Sequence, residues 1–179
     1  AMVIFDRAFI PNELIFMDGE YEFASMLIER FTCYHRRSYV CKTGVGDVLI
    51  GAAASIADYN GIPNVSHIKD KLVEMTHLNE SIYGTGIASS YQSQKMKSGV
   101  WQNDEMLANV CKHNVTRFPY QIGRFAQDIA GGLMVTLPSE AEFRSPETGP
   151  LLRKYLKAKK GVDVENKMRI LRLIENMTM

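Results

Sequence analysis

One tryptophan, six prolines and three cysteines are all that 179 residues contain of these types, and each scarcity closes a possibility. Three cysteines are an odd number, and a chain of this length buries a core without staples. Cys33, Cys41 and Cys111 therefore read as thiols or metal ligands rather than as a disulfide framework. An excess of either charge is missing too: 21 Lys and Arg against 20 Asp and Glu leave a net charge of +1, which gives no footprint for nucleic acid or an acidic partner. No stretch holds the roughly 18 uninterrupted apolar residues of a membrane helix, and the opening AMVIFDRAFIPNE has Asp6 and Arg7 where a signal peptide keeps its apolar run. The expected setting is cytoplasmic, without a membrane or nucleic-acid partner. Internal repeats and low-complexity segments are also absent.

What is present is mostly helical periodicity. From Tyr21 the apolar period changes from two to 3.6, and Phe23, Met26, Leu27, Phe31 and Tyr34 fall on one face of a first helix, about Glu22 to Tyr39. A second helix runs through GVGDVLIGAAASIADYNGIP, loosened at its start by Gly44 and Gly46, packed through Val48, Leu49, Ala52, Ala53 and Ile56, and ended by Asn60-Gly61 and Pro63. A long amphipathic third helix begins at Asn64 or Ser66 as cap and carries Ile68, Leu72, Met75, Leu78 and Ile82. The fourth covers QNDEMLANVCKHNVTRFPYQIGRFAQDIAGGLMVTLP, with a kink near Val115 imposed by Pro119. After a polar connector with one amphipathic turn at Leu151 to Leu156, a last helix starts at Asp163 as N-cap. The fold class is all-α, a helical bundle, with a short strand-like N-terminal arm.

The ends point beyond the chain. VIFDRAFIPNELIFMDGE has the rhythm of two strands around a Pro11-Asn12 turn, so residues 1–20 read as the tail of a β-domain that is otherwise missing. Residues 21–179 read as the C-terminal helical bundle domain. Ala1-Met2 resembles a tag remnant before an initiator methionine, and MRILRLIENMTM stops within an apolar helical pattern. The chain is expected to be a piece of something longer.

Chemistry-bearing residues crowd into CYHRRSYVCKTGVGD, Cys33 to Asp47. His35 and Cys41 are six residues apart, about 600° of α-helical rotation, so they converge only if the helix stops near Tyr39. Imidazole and thiol meeting at such a break suit an iron–sulfur or zinc site, although two ligands do not fill a tetrahedron. One packed thiol and one satisfied histidine account for the same residues.

YHRRSYVCKTGVGDVLIGAAASIADYNG, SHIKDKLVEMTHLNESIYGTGIA, LANVCKHNVTRFPY, DIAGGLMVTLPSE and MRILRLIENMT together resemble the C-terminal part of the 4-hydroxybutyryl-CoA dehydratase/vinylacetyl-CoA isomerase family. That family lies within the 4-hydroxyphenylacetate 3-hydroxylase superfamily, which is acyl-CoA dehydrogenase-like. The resemblance implies a homotetramer with a helical N-terminal domain, a middle β-domain and a C-terminal bundle around FAD and a 4Fe-4S cluster. Neither cofactor is expected to be held by this chain alone. It implies that His35 and Cys41 are two of the four cluster ligands, that Tyr39 lies at the substrate, and that Lys42 acts near flavin and substrate. The family pattern has Gly-Gly between the tyrosine and the cysteine where this chain has only Val40, so the loop is one residue shorter. Thr85 and Ser89 stand where the pattern has cysteines.

The implied reaction converts 4-hydroxybutyryl-CoA to crotonyl-CoA in 4-aminobutyrate fermentation, with vinylacetyl-CoA isomerisation as a partial reaction. A catalytic glutamate is implied beyond residue 179. Arg117 is a candidate for flavin phosphate or a neighbouring subunit's carboxylate, or else a structural partner of Asp128 or Glu105. His67, His77 and His113 read as solvated, Trp101 as a packing anchor, and Arg153 to Gly161 as a solvated basic face. Expected partners are a CoA thioester, the missing domains and further copies of the chain. Two other readings stay open: a flavin-dependent 4-hydroxyphenylacetate 3-hydroxylase-type monooxygenase domain, and a truncated helical self-association module.

Overall fold

Residues 1–179 are all described by the computed structural model, in which the three-to-four spacing becomes eight α-helices. In chain order these are α1 (Ala24–Ser38), α2 (Lys42–Tyr59), α3 (Ser66–Tyr91), α4 (Glu105–Val115), α5 (Phe118–Ala130), α6 (Glu140–Arg144), α7 (Gly149–Tyr155) and α8 (Val164–Thr178). One small antiparallel ribbon, β1 (Gln94–Lys95) with β2 (Trp101–Gln102), links α3 to α4. Helices α2, α3, α5 and α8 enclose the main core, where Ala52, Ala53, Ile56, Met75, Ile122, Ala126, Leu171 and Ile174 are buried. The alanines give α2 a narrow face, so three neighbours approach it closely. The large aliphatics they bring each contribute about 1.5–3 kcal/mol on burial.

Several boundaries differ from the periodicity, each for a physical reason. The arm carries no strand: residues 1–20 hold a single 3-10 turn, Asn12–Leu14, and apolar side chains such as Phe9 and Phe16 are exposed. Two lone strands with nothing to cover them do not sustain a ladder. The first α-helix ends at Ser38, next to the expected Tyr39, but the chain does not turn away there. Ser38, Tyr39, Cys41 and Lys42 keep right-handed helical dihedrals, and Tyr39–Cys41 tightens into a 3-10 turn that leads straight into α2. The expected kink near Val115 is a full break, with Thr116 and Arg117 between α4 and α5 and Pro119 in the first turn of α5, where its missing N–H costs nothing.

Val65 occupies the N-cap of α3 with no side-chain cap, whereas Asp104 and Asp163 cap α4 and α8 through the N–H groups of Leu107 and Glu165. Val48 and the ring of Trp101 lie in solvent, contrary to the packing expected of them. The connector forms two short helices, α6 and α7, the first closed by a Ser139/Glu142 capping box. Over Tyr21–Tyr59 the continuous helical path is long and apolar enough, in one 18-residue window, to cross a membrane by length and composition. A third of that window is buried against the bundle, including the core residues Leu49, Ala52, Ala53 and Ile56.

Candidate functional site

Histidine in the last turn of α1 lies one helical turn before Tyr39, so their side chains are neighbours on one face. His35 Nε2 is 3.1 Å from Tyr39 Oη, and the rings meet edge to face at 4.9 Å between centroids. On its other side the imidazole stacks on Phe31 at 5.5 Å. Lys112 reaches over from α4 and sets its ammonium 3.7 Å from the centre of the Tyr39 ring, a cation–π contact. Lys112 has no sequence signal as a partner: it lies more than 70 residues downstream on a separate helix.

The three cysteines divide by exposure. Cys41 is exposed, Cys33 and Cys111 are buried. Cys33 Sγ donates to the Asn103 carbonyl, while Asn103 Nδ2 donates to the Cys33 carbonyl at 3.3 Å and to Ser89 Oγ at 3.1 Å, tying α1 to α3 and the start of α4. Cys111 lies against Gly86, and burial pushes its thiol up despite the hydrogen bond to Thr85 and the charge of Arg37.

Of the three, Cys41 is therefore the one open to a ligand. The tightened turn brings it toward the side of His35: three α-helical steps and three 3-10 steps amount to about 660°, some 60° short of two full turns, instead of 120° short in an unbroken α-helix. A stopped helix is not needed. Nowhere in the chain do three or more His, Cys, Asp or Glu side chains converge on one point. His35 and Cys41 offer an imidazole nitrogen and a thiol sulfur, donor types that iron–sulfur clusters accept, but such a cluster takes four donors.

Lys42, the first residue of α2, lines an open groove of about 530 Å³ between α2, α5 and α8. Tyr120, Gly123, Arg124 and Gln127 of α5, Asn79 of α3 and Met177 of α8 complete most of its wall. Two exposed cations, Lys42 and Arg124, face it, and no Asp or Glu side chain lines it. The groove suits a ligand with an anionic part. Arg124 escapes a reading of the sequence, although residues 120, 123, 124 and 127 form a stripe at helical spacing that begins just after Pro119.

Arg117 is not part of this wall. It is exposed at the N-cap of α5, and its expected partner Asp128 is held by Lys71. His67, His77 and His113 are exposed. The basic run from Arg153 is partly neutralised by Arg153–Glu165 and Lys159–Asp58 ion pairs, both at 2.6 Å.

Residues 24–179 match the family described as 4-hydroxyphenylacetate 3-hydroxylase C terminal. The 4-hydroxybutyryl-CoA dehydratase/vinylacetyl-CoA-Delta-isomerase of Clostridium aminobutyricum is 55% identical over 99% of this chain and 38% of its own length. The 4-hydroxyphenylacetate 3-monooxygenase oxygenase component of Thermus thermophilus is 23% identical over 99% of this chain and 37% of its own. Among solved structures, an oxygen-tolerant archaeal 4-hydroxybutyryl-CoA dehydratase from N. maritimus superposes with a TM-score of 0.95 at 78% identity, covering 98% of this chain and 35% of that one. An oxygenase component of 4-hydroxyphenylacetate 3-monooxygenase, complexed with FAD and 4-hydroxyphenylacetate, shares the fold with a TM-score of 0.88 at 23% identity, over 98% of this chain and 37% of that one. The chain thus spans little more than a third of the length of these relatives.

Proposed function

The chain belongs to the 4-hydroxyphenylacetate 3-hydroxylase C-terminal family, and from that premise we propose that it is the C-terminal part of a 4-hydroxybutyryl-CoA dehydratase that also isomerises vinylacetyl-CoA. Residues 21–179 are its helical domain, and residues 1–20 are the tail of the middle β-domain of a longer cytoplasmic, oligomeric enzyme. On its own the fragment is inactive. The observation that supports the reading is the tightened turn, along which His35 and Tyr39 touch and the next two candidates, Cys41 and Lys42, follow as exposed residues. Far greater identity with the dehydratases than with the monooxygenases favours this chemistry over phenol hydroxylation.

In the conversion to crotonyl-CoA, C2 and C3 each lose one hydrogen, C4 gains one and loses its hydroxyl, and the hydroxyl departs with a proton as water. Isomerisation of vinylacetyl-CoA takes one proton from C2 and returns one to C4. When bound, FAD would accept and return an electron, acidifying the unactivated C–H bond, and a 4Fe-4S cluster would act as a Lewis acid toward the C4 hydroxyl. His35 and Cys41 would hold the cluster with two ligands from the preceding part of the protein.

Once displaced from that ligand role by the substrate hydroxyl, His35 would also serve as the base, with its Nε2 held 3.1 Å from the Tyr39 hydroxyl. Tyr39 orients the imidazole and meets the substrate, while Lys112 over its ring holds the phenol against α4. Lys42 and Arg124 hold anionic parts of flavin or CoA thioester in the groove. Arg117 is left to contact flavin phosphate or a carboxylate from a neighbouring subunit.

The test is the longer protein, purified without oxygen, assayed for iron, flavin and turnover of 4-hydroxybutyryl-CoA. A brown, flavin-containing protein whose His35→Gln variant loses turnover supports the reading. Full turnover by His35→Gln excludes its role as base, and a protein with flavin, no iron and phenol hydroxylation replaces the dehydratase with a monooxygenase.

A further inference from the structure

A polar side chain sits in the core beside the candidate turn, and packing alone does not account for it. Asn79, in the middle of α3, is only 2% exposed. Its amide Nδ2 donates to the Thr43 carbonyl at 3.1 Å and to Asp47 Oδ1 at 2.7 Å. Both partners are acceptors, so the amide has one permitted orientation: turned over, its oxygen would face a carbonyl and a carboxylate. The oxygen is left without a partner. An apolar side chain at this position would bury no unpaired acceptor.

The backbone opposite is fitted to this side chain. A Cβ on Gly46 would stand 2.1 Å from Asn79 Oδ1, so α2 can approach only because position 46 is glycine. Seven residues further along α3, about 700° and hence on the same face, Gly86 receives the other end of the turn. A Cβ there would stand 2.7 Å from Val40 Cβ. Thr43 Oγ1 closes the interval by donating to the Val40 carbonyl at 2.7 Å. Helix α3 thus grips the chain before Cys41 and after Lys42, and the two exposed residues are presented between the grips.

We propose that Asn79 is a positioning residue: through Thr43 and Asp47 it fixes the angle at which Cys41 and Lys42 leave the bundle, with Gly86 as the second anchor. What that turn serves rests on the function proposed above; the clamp itself does not.

Both are tested in the longer protein carrying this chain. Asn79→Ala is expected to raise amide exchange through residues 40–47 by about tenfold or more, with α5 and α8 unchanged. It is also expected to lower kcat by about tenfold or more while KM for 4-hydroxybutyryl-CoA moves by less than about threefold, the signature of misplaced groups. Asn79→Asp should behave alike, and adding Asp47→Asn, which exchanges donor and acceptor, should restore part of the protection. Unchanged exchange at residues 40–47, or a rise spread evenly over α2, α5 and α8, overturns the proposal. If the unmodified protein shows no turnover, the enzymatic reading falls, and the exchange pattern still decides the role of Asn79.

Discussion

Cys111 has no exposed surface, and burial pushes its thiol above the ordinary value. The folded chain then keeps this proton at pH values where the unfolded chain has released it. Its contribution to stability is complete below about pH 8.5, the unfolded thiol value, and declines as pH rises toward the folded one. Urea midpoints measured between pH 8 and 10 should therefore fall less steeply in Cys111→Ala than in the parent. Equal slopes would show that the buried thiol is not the source.

Exposure makes a separate prediction for thiol chemistry. At neutral pH, alkylation of this chain should label Cys41 first and leave Cys33 and Cys111 unmodified until unfolding, as peptide mass mapping would show. Sequence singled out Cys41 through the resemblance but gave no burial for any of the three, because burial depends on what α3 and α4 bring from elsewhere. The His35–Tyr39 pair stands at one helical turn of spacing, yet the sequence reading set His35 against Cys41 instead. Position 46 was read as a loosened helix start, whereas its hydrogen is what Asn79 requires; Gly46→Ala should cost about 1–3 kcal/mol through overpacking, measured by thermal or denaturant unfolding.

Among the elements, the most readable are those with local punctuation. Asp163 announces its helix as an N-cap, and Pro119 announces an interruption, expected as a kink and found as a break. Replacing Asp104 by Ala should destabilise the chain by about 1 kcal/mol, seen as a lower denaturant midpoint; no change would mean that Ser89 alone, whose hydroxyl and carbonyl both engage the Asp104 backbone, holds the start of α4. The passage from α1 to α2 has no such punctuation. Val40 and two nearby glycines suggest a stop, but Gly86 provides room for Val40, and the helical path continues in a tighter form. The arm failed for the opposite reason. Its alternation is that of a strand, and strands form only against partners.

At the scale of the whole molecule the bundle class followed from periodicity, while which helix faces would be covered did not. Phe23, Met26, Leu27, Ile28 and Phe31 on and before α1 are each about half exposed, and the arm adds Phe5, Phe9 and Phe16. So many exposed large apolar side chains in one segment are unusual for a monomer. The isolated chain is expected to self-associate, and Leu27→Lys with Phe31→Lys to shift sedimentation toward the monomer; identical profiles would sink that expectation.

The 3-10 turn between α1 and α2 has a consequence for how the length of this segment can drift. One more residue between Tyr39 and Cys41, as in the pattern the chain resembles, would place seven plain α-helical steps between histidine and cysteine, about 700°. The six steps here reach about 660° by overwinding. Winding and length compensate each other, so an insertion at this point need not separate the two side chains in angle. Tolerance to such indels should therefore be found at Val40, and intolerance at Asn79 and Gly86, the fixed marks on α3 against which either version of the segment is measured.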